Sequence, residues 1–262
     1  MNTSTSQCQS GLRAVVTGGT QGVGLAIARR LARDGATALV LAGRNRERGE
    51  QAADEIVRLG AECLFVATDV ADPDQCAKLM QTAKAAFGTV NGLVNSAGTA
   101  ERSGWPDTTL DQWALHFDTN ARGPFLLMQA FARDLEEAGQ PGSIVNIISM
   151  AAHCGGPLVT PYSASKAALA NLTRNFANAF AARQIRCNGI MAGWMDTPGD
   201  DAIQRRFHGH DDGWQAAVAK DLPMGRLVDP DELAGLAAYL LSAGSGLVTG
   251  SLIDFDQRVL GA

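Results

Sequence analysis

Residues 13–24 read RAVVTGGTQGVG, a short apolar run that leads through a glycine-rich turn into the helical pattern LAIARRLARDG. Glycine permits positive φ angles and lets a ligand approach the main chain closely. Backbone N–H groups at the start of a helix, together with the helix dipole, bind anions such as a pyrophosphate. A glycine-rich turn between a first strand and a helix therefore predicts a dinucleotide site, with a tight ligand-free turn as the alternative.

On the C-terminal side of this turn, short apolar runs alternate with longer helical patterns. The runs are continuous, which is typical of strands buried on both faces of a parallel sheet. The alternation predicts an α/β fold, a doubly wound parallel sheet of the Rossmann-like type. We expect strands at 13–17, 37–43, 63–68, 91–96, 143–149, 185–191 and 250–255, and helices at 22–34, 45–59, 73–87, 109–138, 161–182 and 229–242.

The chain of 262 residues contains no linker, repeat or low-complexity block that would divide it. Residues 1–11 are polar and lack both a basic cluster and an apolar core, so we expect a flexible leader rather than a secretory signal. Residues 12–262 should then form one domain. Residues 193–222 are polar and charged and interrupt the alternation, and we expect them to form a helical lid over the substrate.

Composition argues against several classes of partner. The 22 basic and 27 acidic residues give a net charge of -5, which offers no overall attraction to nucleic acid or anionic lipid. No apolar stretch approaches the roughly 18 residues that indicate a membrane span. The five cysteines are an odd number without C-x-x-C spacing, and so indicate neither a disulfide framework nor a zinc site. We expect a cytoplasmic protein that acts on a small molecule.

A candidate catalytic group lies in the sequence PYSASK, residues 161–166. Tyr162 and Lys166 are four residues apart and so share one face of a predicted helix. A nearby ammonium favours a phenolate and lowers the pKa of a tyrosine, which suits Tyr162 to general acid/base catalysis. Ser149, at the carboxyl end of the fifth strand, can hydrogen-bond a substrate oxygen. A packed structural tyrosine is the alternative, and the presence of Ser149, Lys166 and the glycine turn argues against it.

These motifs, taken in order, resemble the short-chain dehydrogenase/reductase family over nearly the whole chain. The family's T-G-x-x-x-G-x-G turn, its Asp-Val, its N-A-G, its helix asparagine and its serine ahead of Y-x-x-x-K all have counterparts. The matching positions are Thr17, Gly18, Gly22, Gly24, Asp69, Val70, Asn95, Ala97, Gly98, Asn120, Ser149, Tyr162 and Lys166. The resemblance implies an oxidoreductase that moves hydride between nicotinamide and a carbonyl or secondary alcohol, in a homo-oligomer that is a tetramer or a dimer.

The resemblance also implies roles for individual residues. Asn120, Ser149, Tyr162 and Lys166 would be catalytic, with Lys166 also holding the nicotinamide ribose and Asn120 ordering a water in a proton relay. The implied cofactor contacts run along most of the chain. They are Gly18, Thr20, Gln21, Gly22, Val23, Gly24, Arg44, Asn45, Asp69, Val70, Asn95, Ala97, Gly98, Tyr162, Lys166, Gly193, Met195 and Thr197.

The end of the second strand bears on which form of the cofactor is bound. NAD-binding folds usually place an acid there for the ribose 2′-hydroxyl, whereas NADP-binding folds have an arginine nearby. Here Gly43 occupies the acid's position and Arg44 follows, and a guanidinium can bind a phosphate through two hydrogen bonds. We predict a preference for NADP(H). NAD(H) remains possible, because a solvated arginine at the start of a helix would give the same sequence.

Residues near the expected pocket suggest the substrate. His153, Cys154, Trp194 and Arg205 are candidate contacts beside Ser149 and Tyr162, and such donors and flat rings suit a sugar, polyol or related hydroxylated molecule. Two alternatives stay open, a 3-oxoacyl thioester (acyl carrier) reductase and a catalytically silent cofactor-sensing regulator. An S-x-x-K at 163–166 without S-D-N or K-T-G gives little support to acyl transfer. The histidines and acids at 208–212 fit a solvated lid, and we expect no metal.

Overall fold

The structure, a computed structural model, describes residues 9–209 and 212–259. Within these ranges seven strands form one parallel sheet in the order β3-β2-β1-β4-β5-β6-β7. The strands are β1 (Arg13–Thr17), β2 (Ala38–Gly43), β3 (Glu62–Ala67), β4 (Gly92–Asn95), β5 (Gly142–Ile147), β6 (Ile185–Ala192) and β7 (Leu252–Phe255). The predicted parallel sheet is confirmed.

Helices cover both faces of the sheet. They are α1 (Gly22–Arg33), α2 (Arg46–Arg58), α3 (Pro73–Phe87), α4 (Leu110–Phe117), α5 (Gly123–Ala138), α6 (Thr160–Phe180), α7 (Pro198–His208), α8 (Trp214–Ala219) and α9 (Pro230–Leu241). Buried side chains of α1, α2 and α9 form one apolar cluster with the sheet, and those of α3, α5 and α6 form a second cluster on the opposite face. The doubly wound architecture is therefore confirmed, in a single domain.

The strand order reverses between β1 and β4, which places a crevice at the carboxyl ends of these neighbouring strands. Thr17 at the end of β1 is in register with Asn95 at the end of β4. In open α/β sheets, ligands bind at such a switch point. The turns that follow these two strands are the glycine-rich turn and the N-A-G turn, so the fold brings both motifs to one place.

The predicted helix at 109–138 is divided, which corrects the sequence-based boundary. Residues 118–122 form a wide π turn between α4 and α5, in which the N–H of Gly123 bonds to the carbonyl of Asp118, five residues back. Pro124 explains the break, because it has no N–H to donate to the carbonyl of Asn120 four residues earlier. Wide turns of this kind occur often at functional sites, and this one contains Asn120.

Part of the predicted leader belongs to the folded domain. Gln9 is 2% exposed, its backbone N–H donates to the Asp34 carbonyl at 3.1 Å, and its side-chain amide donates to the Ala238 carbonyl at 2.7 Å. The leader assignment is therefore wrong for residues 9–11, because Gln9 links α1 to α9. Residues 1–8 lie outside the described residues.

The segment at 193–222 is helical, as expected. It contains α7 and α8, and the indole N–H of Trp214 in α8 donates to Asp201 of α7 at 2.9 Å. Thr197 caps α7 by accepting a hydrogen bond from the backbone of Asp200 at 3.1 Å. Among the described residues, no helix is both long and apolar enough to cross a membrane.

Candidate active site

The glycine-rich turn leaves no room for side chains. A Cβ on Gly24 would lie 2.3 Å from the carbonyl oxygen of Gly18. Gly18 itself has a φ of +65°, and a Cβ there would lie 2.9 Å from the backbone nitrogen of Ala97. At the start of α1 the Gln21 side chain makes no capping hydrogen bond. The N–H groups of the first helical turn, with Val23 among them, are therefore not capped by this side chain, and with the glycine turn they form a cradle of main chain that can receive an anion such as a pyrophosphate.

Gly24→Ala should open this cradle, because the added methyl group must push the backbone of Gly18 aside. We expect the Kd for the nicotinamide cofactor to rise at least about tenfold, and the free energy of unfolding to fall by about 1–3 kcal/mol, the usual range for overpacking. Cofactor titration by fluorescence and chemical denaturation would measure the two effects. Gly155→Ala is the control, since a Cβ at that position meets no atom within 4 Å; equal behaviour of the two variants would contradict the assignment.

The end of β2 lies beside the same turn. A Cβ on Gly43 would lie 3.0 Å from Cγ2 of Thr20 and 3.2 Å from its hydroxyl, so Thr20 fills the space where an acidic side chain would otherwise stand. Arg44 is exposed, and none of the ion pairs found among the described residues includes it. Asn45 caps α2 by accepting the backbone N–H of Arg48 at 2.9 Å. Arg44 is thus positioned at the rim of the cradle, while the Asn45 side chain serves the helix.

Asp69 and Val70, in the loop after β3, are fixed by contacts with α3 and α5. The carboxylate of Asp69 accepts the backbone N–H of Ala71 at 3.0 Å, and Gln75 accepts that of Asp69 at 2.8 Å. The Val70 carbonyl lies 2.4 Å from the position of a Cβ on Gly123. These contacts hold the loop against the start of α5.

Asn95 has a structural contact within the sheet. Its side chain is 2% exposed and donates to Asn146 in β5 at 2.8 Å. Asn146 in turn donates to Thr173 in α6 at 2.8 Å. The backbone N–H of Ala97, two residues on, donates to the hydroxyl of Thr17 at 3.2 Å, which joins the N-A-G turn to the end of β1.

The segment after β6 reaches back to the cradle. Thr197 lies against the glycine turn, because a Cβ on Gly22 would be 3.5 Å from the Cβ of Thr197. The backbone N–H of Gly193 donates to the Phe255 carbonyl at 3.0 Å. Met195 forms an isolated parallel β-bridge with Val228. The start of α7 is therefore fixed next to the predicted pyrophosphate position.

The catalytic candidates at the carboxyl end of β5 meet those of α6. The hydroxyls of Ser149 and Tyr162 are hydrogen-bonded, and the Ser149 oxygen also accepts the backbone N–H of Ala151 at 3.1 Å. Contrary to our expectation from Lys166, the pKa of Tyr162 is raised, mainly because burial disfavours the phenolate. The Ser149 hydrogen bond and the charge of Arg102 act in the opposite direction.

Lys166 and Asn120 lie together beside Gly98. A Cβ on Gly98 would be 3.2 Å from the Asn120 amide oxygen and 3.4 Å from Nζ of Lys166. Lys166 is buried and donates to the Ile147 carbonyl at 2.9 Å, and burial lowers its pKa to about 8. The Asn120 amide donates to Ser165 at 3.0 Å. The structure thus gathers all four predicted catalytic residues at one end of β5.

The four further substrate candidates do not form one group. His153 lies 2.9 Å from Asp254 of β7, Cys154 is exposed, and the Trp194 ring packs 6.3 Å from that of Trp214. The structure also corrects the prediction that Arg205 contacts the substrate, because its exposed guanidinium is paired with two acids of its own segment, Asp201 and Asp212. His210 and Asp211 lie outside the described residues, so the structure does not address a metal site there.

Two charged residues near Tyr162, and a buried amide in the same segment, were missed from the sequence. Arg102, in the loop after β4, and Asp200, in α7, interact electrostatically with Tyr162 and with each other. Gln204, one helical turn beyond Asp200, is 1% exposed. The spacing of Asp200 and Gln204 could have indicated a shared helix face, but which face of α7 meets the site depends on how the helix docks.

Comparison with known proteins gives matches along nearly the whole chain. The family model described as enoyl-(acyl carrier protein) reductase matches residues 18–257. The L-rhamnose 1-dehydrogenase (NAD(P)(+)) of Azotobacter vinelandii is 33% identical over 246 residues, which cover 92% of this chain and 94% of that protein.

Solved structures share the fold. A short-chain type dehydrogenase/reductase from Mycobacterium marinum superposes with a TM-score of 0.88 at 32% identity, covering 97% of each chain. A protein of Beutenbergia cavernae, described as a candidate NAD(P)-dependent gluconate 5-dehydrogenase with NADP bound at low occupancy, has a TM-score of 0.87 at 32% identity. That match covers 98% of this chain and 99% of the other.

Proposed function

Because the chain belongs to the short-chain dehydrogenase/reductase family, we propose that it is an NADP(H)-preferring oxidoreductase that interconverts a carbonyl and a secondary alcohol on a sugar, polyol or similar hydroxylated molecule. The observation that carries this proposal is the meeting of Ser149, Tyr162, Lys166 and Asn120 at the end of β5, beside the glycine cradle. The relative named for dehydrogenation of rhamnose, a neutral sugar, supports the substrate class, and the one named for gluconate, a sugar acid, supports a polyhydroxylated substrate.

The residues of this chain fit a nicotinamide dinucleotide. At Gly18 and Gly24 the cradle has room for the main chain but not for side chains. The first turn of α1 offers backbone N–H groups to the pyrophosphate, and Lys166 lies where it can hold a ribose hydroxyl. When bound, the cofactor supplies or accepts the hydride of the reaction. We propose that Met195 and Thr197 close over the nicotinamide end, with Thr197 positioned beside Gly22.

Tyr162 would exchange the proton with the substrate oxygen, which Ser149 orients by a hydrogen bond. A raised pKa keeps the phenol protonated near neutral pH, so Tyr162 is ready to donate a proton to a carbonyl in the reductive direction. Asn120, whose side-chain oxygen lies with Nζ of Lys166 beside Gly98, would order a water next to Lys166. A chain of this kind would return the proton from solvent to Tyr162 after each turnover.

We attribute the NADP(H) preference to Arg44. Arg44→Ala should lower kcat/KM for NADP at least about tenfold while changing that for NAD little, because only NADP carries the 2′-phosphate that a guanidinium binds. Steady-state kinetics with both cofactors would measure the ratio. Arg46→Ala is the matched control, since Arg46 is exposed in α2 and pairs with Glu50 at 3.4 Å. An unchanged ratio in Arg44→Ala, or a wild-type preference for NAD, would refute the role of Arg44.

Reduction of a 3-oxoacyl thioester is the second candidate, favoured by the acyl-carrier description of the matching family model. A panel of sugars, polyols and 3-oxoacyl thioesters, followed at the absorbance of reduced nicotinamide, separates the two. We expect the highest kcat/KM for a sugar or polyol. A higher kcat/KM for a thioester would instead assign the chain as an acyl-carrier reductase, with the same proposed catalytic residues.

Assembly and location are also proposals. Trp113 in α4 and Phe125 in α5 are 44% and 42% exposed, and apolar surface of this kind supports a homo-oligomer, a dimer or a tetramer, which sedimentation equilibrium would determine. A cytoplasmic location is supported by the four cysteines of the described range, which are all free thiols.

A further inference from the structure

The inner face of α7 presents a carboxylate next to Tyr162 and, one helical turn further on, a buried amide. Asp200 is half-buried, accepts a hydrogen bond from the Thr197 hydroxyl at 2.7 Å, and interacts electrostatically with Tyr162. Gln204 follows after four residues, so the two side chains share one face of the helix. Gln204 is buried at 1% exposure, and neither atom of its amide has a hydrogen-bond partner among the described residues.

The loop between β4 and α4 forms the opposite wall. Arg102 in this loop interacts with both Tyr162 and Asp200. The loop is held by the buried His116, whose Nε2 lies 3.1 Å from the Glu101 carbonyl and whose ring packs 6.4 Å from that of Tyr162. Arg206 of α7 reaches Glu101 at 3.3 Å. The loop and α7 thus enclose the phenol between them.

We propose that Asp200 and Gln204 bind the hydroxyl groups of an uncharged polyhydroxylated substrate, a neutral sugar or polyol, and that this surface discriminates against sugar acids. The inference rests on the proposed function, because it assumes that the substrate reacts at Tyr162. It adds which part of the protein recognises the remainder of the substrate and what charge that remainder carries.

Hydrogen-bonding capacity supports this assignment. A carboxylate accepts hydrogen bonds from two neighbouring hydroxyls, whereas a side-chain amide both donates and accepts. A buried amide without partners is costly to the protein, and a bound ligand that completes its hydrogen bonds relieves that cost. Vicinal hydroxyls of a bound substrate would complete the hydrogen bonds of the Gln204 amide, which explains why this amide is buried without a partner among the described residues.

Charge decides between a neutral substrate and an acid. Arg102 is the basic side chain identified at Tyr162, and the negative charge of Asp200 beside it offsets the attraction it would exert on a substrate carboxylate. A carboxylate at the Asp200 surface would also be repelled directly, and like charges are strongly unfavourable in a site with little water. A hydroxyl group meets neither penalty.

The test compares three classes of alcohol with the wild-type enzyme: neutral polyols, the corresponding sugar acids, and secondary alcohols with a single hydroxyl. We expect kcat/KM to be at least about tenfold higher for the neutral polyol than for the matched acid, because rejection of wrongly charged or unpaired groups is a strong source of specificity. A wild-type preference for the acid would overturn the inference. Failure to oxidise any alcohol of the panel would instead overturn the proposed function.

Two variants test whether Gln204 and Asp200 produce the preference for neutral polyols. Gln204→Leu removes the amide and keeps an apolar volume, so it should raise KM for neutral polyols about tenfold and leave the single-hydroxyl alcohols unchanged, without loss of stability. Asp200→Asn should lower the discrimination between polyol and acid by at least about tenfold. Asp212→Asn is the control, since Asp212 is exposed nearby. If both variants affect all three classes equally, Asp200 and Gln204 are structural and the inference is wrong.

Discussion

Tyr162→Phe is expected to lower kcat at least about 10²-fold in both directions, the scale of general acid/base catalysis. The substitution removes only the hydroxyl, which is the atom that bonds to Ser149 and that we assign to proton transfer. Cofactor affinity should change little, because Tyr162 is one of many implied cofactor contacts and the substitution leaves the cradle at Gly18 and Gly24 intact. Stopped-flow or steady-state turnover with the best substrate, together with a cofactor titration, would measure both quantities.

The other tyrosine of the chain provides the control. Tyr239 lies in α9 and is 48% exposed, so Tyr239→Phe should retain wild-type turnover. Near-normal kcat in Tyr162→Phe would remove the proton-transfer role, and a parallel loss of cofactor binding would show that the variant disturbs the site as a whole.

Lys166→Met is expected to abolish most activity and to change how stability depends on pH. Burial lowers the pKa of Lys166 from 10.5 to about 8, so in the unfolded chain this lysine keeps its proton up to higher pH than in the folded protein. Between these two pH values the unfolded state binds more protons, and stability therefore rises with pH. At about 1.4 kcal/mol per pKa unit, the contribution of Lys166 across this window is about 3 kcal/mol.

Denaturant unfolding of wild type and Lys166→Met at a series of pH values isolates this contribution as the difference between the two curves. We expect the wild type to gain about 3 kcal/mol relative to the variant from pH 8 to 10.5, the interval set by the two pKa values. Lys220→Met, at an exposed position, should keep the wild-type dependence. Parallel curves for wild type and Lys166→Met would show that Lys166 is not buried as described.

Features encoded within a few neighbouring residues were predictable. The glycine turn at 17–24 and the pair Tyr162 and Lys166 are local patterns, and short apolar runs marked the strands of a sheet buried on both faces. Their convergence followed from the rule that parallel strands carry their functional residues at one edge. Pro124 was also present in the sequence, but the periodicity on both sides of it concealed the break between α4 and α5.

Features that depend on distant contacts were not predictable. Gln9 is fixed by a carbonyl 229 residues away, which no local pattern could indicate. The pKa of Tyr162 rises because other elements bury it, an effect that outweighs the cation expected from helical spacing. The direction in which α7 docks determines that Gln204 is buried while Arg205 is exposed. The proposed substrate surface thus depends on tertiary packing more than the catalytic residues do.

The stoichiometry of the reaction with NADP⁺ and a neutral polyol tests whether the chain is a dehydrogenase. We expect the wild-type enzyme to form reduced nicotinamide and a carbonyl product in equal amounts, measured by absorbance and by mass spectrometry. Binding of NADP⁺ without reduction by any sugar, polyol or other secondary alcohol would contradict it. That result, together with no reduction of a 3-oxoacyl thioester, would identify the chain as a catalytically silent cofactor-binding regulator.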